Sequence, residues 1–157
     1  MTTRNWLSTE KDEAAWHVEY EIRKLTEYVN VLDEFRDRPD VGQALLEASL
    51  VRIRALHEFL RPTPALANNA FAGLWVSTWG RDGFLSGRDY DRISAKVAHL
   101  SASRLRAKFD DFEPAEIKPL AVRCCECLGD FLDSVPAPEP AGFLEAREHV
   151  AKFLART

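Results

Sequence analysis

The stretch VEYEIRKLTEYVNVLDEF, residues 18–35, decides the fold. Its apolar residues Val18, Ile22, Leu25, Val29, Leu32 and Phe35 recur at steps of four and three, the period of a helix with one face turned to a core. A strand would alternate every second residue, and no credible alternation of that kind occurs in the chain. A helix is therefore predicted over about 9–36, opened by Thr9 and Asp12 at capping-box spacing and ended by Pro39.

Four further helices follow outward from it. A second is predicted over about 41–60, with Leu45, Leu46, Ser49, Leu50, Ile53, Leu56 and Leu60 inward and Pro62 and Pro64 stopping it. A third over about 89–109 takes Asp89 or Asp91 as its cap and turns Ile93, Val97 and Leu100 to the core. A fourth over about 115–134 opens at Pro114 and carries the stripe Ile117, Leu120, Cys124, Leu128, Phe131 and Val135. The turn from Pro136 to Pro140 leads to a fifth over about 141–155, with Phe143, Ala146, Val150 and Phe153 as its seam. From Arg61 to Gly87 the pattern breaks, and the segment reads as a short helix or an ordered loop whose aromatics plug one end. The expectation is an all-α, up-and-down bundle of four to five helices, with residues 1–157 forming a single helical-bundle domain.

A chain of 157 residues, 46% hydrophobic, needs neither disulfides nor zinc to hold a core. Its net charge of −4 excludes wholesale coating of nucleic acid. Charge is nonetheless segregated: residues 88–108 carry six basic and two acidic side chains, a net of +4 that leaves −8 for the rest. That polarity suits an anionic ligand near the third helix, or simply a solvated helix face. No run approaches the roughly 18 apolar residues of a membrane span, and the first twelve residues are too polar for a secretory signal, so a cytoplasmic protein without membrane contact is expected. Cys124, Cys125 and Cys127 fit neither a disulfide framework nor a zinc site and read as core thiols. No metal and no cofactor are expected.

Phosphate loops, dinucleotide fingerprints, zinc-protease and nucleophile-elbow motifs are all absent. The pair with chemical content is Arg92 and His99. Seven helical steps bring them within about 20° of one face and about 10 Å along the axis, where they can hold and protonate a phosphate ester. On the second helix Glu47, Arg54, Glu58 and Arg61 form a polar strip. It reads either as intrahelical pairing of Arg54 with Glu58 and Glu58 with Arg61, or as a network orienting groups on the third helix, with Glu47 the partner for a cation. His99 has its own second reading as a structural histidine bonded to a carboxylate such as Glu47. Trp75 and Trp79 read as a base-stacking platform or as packing aromatics, and Trp6 as a staple at the first helix or a contact to a second subunit.

The long first helix, the second helix from Ala44 to Leu60, an irregular loop and an Arg-x6-His helix together resemble the HEPN superfamily of small α-helical bundles. The resemblance implies a homodimer in which Arg92 and His99 of each subunit meet at a composite site that cleaves RNA without metal. Some members are instead non-catalytic partner subunits, so it equally implies a helical interaction or ligand-binding module with a protein partner, as in toxin-antitoxin or defence-type complexes. The family usually has a polar residue directly after the arginine, where this chain has Ile93. For an active site, the 2'-hydroxyl attacks the adjacent phosphorus, His99 moves a proton near neutral pH, and Arg92 holds the charge gathering on the phosphoryl oxygens. Arg88, Lys96, Ser103 and Arg106, on or near the same face, then position the RNA backbone.

Overall fold

The computed structural model describes residues 5–35, 37–64, 66, 69–97 and 112–157. Among these residues five helices and no strand occur: α1 (Ser8–Val31), α2 (Pro39–Phe59), α3 (Gly87–Val97), α4 (Pro114–Ser134) and α5 (Ala141–Leu154). Short 3-10 turns lie at Leu32–Phe35 and Ala72–Leu74. The fold is all-α, as the periodicity requires, and no helix among the described residues is long and apolar enough to cross a membrane.

Local chemistry at the helix ends departs from the sequence expectation in three places. α1 begins before Thr9, and Glu10 rather than Asp12 turns back, its Oε2 accepting the Leu7 N–H at 2.9 Å. Pro39 opens α2 instead of lying before it, because its missing N–H costs nothing in a first turn. At α3 the cap is Ser86, whose Oγ accepts the Asp89 N–H at 3.1 Å. Asp89 is thereby left to accept from Arg123 of α4 at 3.2 Å. The predicted continuation of the third helix, 98–109, lies outside the described residues.

α1 packs on α2 and α5, α2 on α3 and α4, and α4 on α5. Facing residues give the directions. Ala15 meets Gly142 and Glu19 meets His149, so α1 and α5 run parallel. Asp89 meets Arg123 and Arg92 meets Glu116, so α3 and α4 run antiparallel. With short turns reversing the chain between α1 and α2 and between α4 and α5, the helices alternate in direction along the chain.

The stripes read from the sequence meet along the axis. Ile22, Leu25, Leu50, Ile53, Leu56, Ile117, Leu128, Phe131, Phe143 and Phe153 are all buried. Burying each of these side chains stabilises by roughly 1.5–3 kcal/mol, which outweighs any surface ion pair. Phe131 packs edge-on to Phe143 and Phe59 with ring centres 5.4 and 5.3 Å away, the quadrupole-favoured arrangement.

Within the irregular segment before α3, residues 69–86 pack as a plug against the bundle. Trp79 is buried, stacks edge-on to Phe131 at 5.5 Å and donates its indole N–H to the Leu60 carbonyl at 2.7 Å. That bond satisfies a carbonyl stranded at the C-terminus of α2. Trp75 lies 5.0 Å from Phe143. Both indoles pack, so neither forms an open stacking platform. Cys124, Cys125 and Cys127 are buried free thiols. Burial drives the Cys124 thiol well up and the Cys125 thiol to about 12, which makes both inert at neutral pH.

Candidate functional site

The third helix presents Arg88, Arg92 and Lys96 at four-residue steps along one edge, and fully buried Ile93 anchors the adjoining face to the core. This burial explains why an apolar residue follows the arginine here. Arg92 does not project freely into solvent. Its Nη1 donates to Glu116 Oε1 of α4 at 3.1 Å, and its guanidinium sits 4.2 Å over the Phe112 ring. Glu116 also accepts the Glu113 N–H at 2.9 Å, and that bond together with Arg92 holds its carboxyl below the usual range despite partial burial. Arg88 is exposed and Lys96 half-buried. His99, Ser103 and Arg106 lie outside the described residues.

Glu47 and Arg54 lie on α2, but the structure does not bring them together. Glu47 accepts from Gln43 of its own helix at 2.7 Å. Arg54 donates to Glu58 Oε1 at 2.9 Å, and that oxygen also accepts the Tyr90 hydroxyl of α3 at 2.9 Å. The strip therefore ties α2 to α3 through Glu58 and Tyr90. Arg61 pairs with Asp82 at 2.9 Å rather than with Glu58, because α2 ends at Phe59 and Arg61 has left the helical path.

His57 organises the approach to α3. It is buried, and its Nδ1 accepts the backbone N–H groups of both Phe84 and Leu85 at 3.1 Å. Two donors on one nitrogen require the neutral ring with its proton on Nε2. Burial pushes the His57 pKa down, assisted by Arg61 and opposed by Asp82 and Glu58. Gly83, with φ of +72°, leaves room for this ring, since a Cβ there would fall 2.3 Å from Nδ1.

A concave site lies elsewhere, between α1 and α2. A cavity of about 380 Å³ is floored by Ala14, Val18, Leu56 and Phe59, with Trp6 and Ala70 at its sides. The four floor residues are buried, so the floor is a continuation of the core. Along its α1 edge run Glu10, Glu13, His17 and Glu21, at steps of three, four and four that place them on one ridge. Glu21 is held through both oxygens by Arg52 Nη1 at 3.0 Å, and the Arg52 guanidinium also covers the Tyr20 ring at 5.3 Å. Glu13 is exposed at the rim. Among the described residues no lysine or arginine lines this cavity.

The sequence signal for this site is the acidic row Glu10, Glu13 and Glu21 beside the seam that carries Val18. An acidic row at helical spacing beside an apolar seam marks a helix edge; that this edge borders a cavity, with small Ala55 in its α2 wall, is decided by how the helices pack. Among the described residues no three His, Cys, Asp or Glu side chains gather as a metal site. A scan against protein-family models gives no match, and no curated protein or solved structure matches the chain significantly.

Proposed function

We propose that this protein is a non-catalytic helical ligand-binding module, with the α1/α2 cavity as its binding site. The carrying observation is that cavity: concave, floored by core side chains, rimmed by a few polar groups and within the size range of small-molecule sites. The engagement of Arg92 supports the same reading. A guanidinium ion-paired to Glu116 and stacked on Phe112 already has a structural task in docking α3 to α4. The test is a fragment screen by protein-observed NMR on the wild type and on Ala55→Trp, which fills the cavity from an exposed position of α2. Binders should shift Trp6 and Phe59 signals in the wild type and lose their effect in the variant. A screen without cavity binders overturns the assignment.

A second reading is the HEPN-type homodimeric endoribonuclease. The ridge of Arg88, Arg92 and Lys96 on α3 favours it, since cations at four-residue steps suit a phosphate backbone. It requires RNA cleavage in excess chelator that His99→Ala abolishes while the melting temperature stays unchanged. That result would replace the binding-module reading, and intact cleavage in the variant would reject the nuclease.

A further inference from the structure

We infer that the α1/α2 cavity takes a neutral apolar molecule the size of two fused rings; this inference rests on the ligand-binding reading above. The floor of Ala14, Val18, Leu56 and Phe59 offers no hydrogen-bonding side chain, so it rewards only apolar surface. That floor is fixed before any ligand arrives. Phe59 packs edge-on to Phe131 at 5.3 Å and lies 5.9 Å from Trp75, and Leu56 is buried in the core, which holds both side chains in place and keeps the hollow open. An apolar cavity of about 150 Å³ accepts one benzene ring. The hollow of about 380 Å³ therefore accommodates a fused pair.

Three carboxylates border the hollow, and two of them are already engaged. Both oxygens of Glu21 accept from Arg52 Nη1 at 3.0 Å, and Glu10 Oε2 accepts the Leu7 N–H at 2.9 Å while its side chain takes part in a further contact. Glu13 stands exposed beside exposed His17, where water and salt screen any ion pair. A ligand cation would have to displace Arg52 or the Leu7 N–H to gain a strong contact, or remain in water at Glu13. A ligand anion would lie beside like charges, with no lysine or arginine among the described lining residues to receive it. What is left for the cavity to recognise is apolar area and shape.

The experiment is calorimetric titration of the whole chain with three probes that share a naphthyl body: 2-naphthylmethanol, 2-naphthylmethylammonium and 2-naphthoate. The alcohol should bind at least as tightly as the ammonium and about tenfold more tightly than the naphthoate. Its affinity should stay within about twofold between about 0.05 and about 0.5 M salt, and likewise in Glu13→Gln, a change at an exposed position. Its binding enthalpy should become more favourable as temperature rises, the mark of apolar burial. Nuclear Overhauser contacts from the naphthyl protons to Leu56 and Phe59 should place the probe on the floor, and Ala55→Trp, folded by the same spectra, should abolish binding. Tighter binding by either charged probe, with those contacts present, would overturn the neutral-ligand inference and leave the binding site standing. Absence of binding by all three in a folded protein, or binding without contacts to Leu56 and Phe59, would overturn both.

Discussion

Arg92 of α3 and Glu116 of α4 are joined at 3.1 Å over the ring of Phe112, so the arginine singled out for phosphate chemistry also holds two helices together. Only about a fifth of its side chain is exposed. Arg92→Ala should therefore lower stability by about 1–2 kcal/mol through the lost ion pair, ring contact and aliphatic packing. Denaturant melts read this directly as a lower midpoint at unchanged slope. An unchanged midpoint would show that the contact contributes nothing and would free Arg92 for another role.

His57 makes acid a specific stress. Its pKa in the folded protein is lowered by burial, so between that value and the unfolded value near 6.5 the unfolded chain binds more protons. Its contribution is complete above about pH 6.5 and is lost progressively as pH falls through that window. Protonation also removes the acceptor that holds the Phe84 and Leu85 N–H groups. His57→Asn keeps an acceptor that cannot titrate, so unfolding free energies measured at pH 7.5 and 5.5 should differ less in the variant than in the wild type. Equal differences would remove His57 from the acid response.

Two glycines should respond oppositely to a methyl group. A Cβ on Gly142 would lie 2.6 Å from the Ala15 carbonyl carbon and the Trp16 nitrogen, so α5 rests backbone against backbone on α1. Neither side can yield locally, and Gly142→Ala should cost about 1–3 kcal/mol. Gly87, at the start of α3, has nothing within 4 Å of its Cβ position. Gly87→Ala should be neutral or stabilising by up to about 1 kcal/mol, because alanine restricts the unfolded chain. Thermal melts of the pair, run together, test the α1/α5 contact against an internal control.

Thiol reactivity should report burial. In native protein at neutral pH, Cys124 and Cys125 should remain silent to an aromatic disulfide reagent, with thiols driven up by burial. Cys127 is also pushed up by burial, but Arg81 beside it works in the opposite direction, so it should react first and slowly. Denaturant should release all three. Rapid native labelling of more than one cysteine would contradict the packing of α4.

Much of this architecture was legible without coordinates. The α4 stripe from Ile117 to Val135 is buried as its spacing demands, and α2 and α4 stop shortly before Pro62 and Pro136. The aromatic plug was legible only as an alternative, since packing and stacking use the same indoles. Trp79 became a packing residue when the free carbonyl of Leu60 came within reach of its N–H. Arg61 was misplaced by one assumption: helical spacing pairs it with Glu58 only while the helix lasts, and beyond Phe59 it reaches Asp82. His57 gave no signal, because its partners are backbone N–H groups 27 and 28 residues away that every sequence possesses.

Local periodicity by itself determined that the chain is helical, which faces are buried and where most helices begin and end, because those properties follow from the rise and turn of one helix and the chemistry of its ends. Tertiary structure alone decided that Arg92 faces Glu116, that His57 secures the loop before α3, and that an acidic ridge borders an apolar hollow. Each depends on the register in which one helix packs on another, and that register is set by side-chain volumes meeting across the core, which no single helix's sequence specifies.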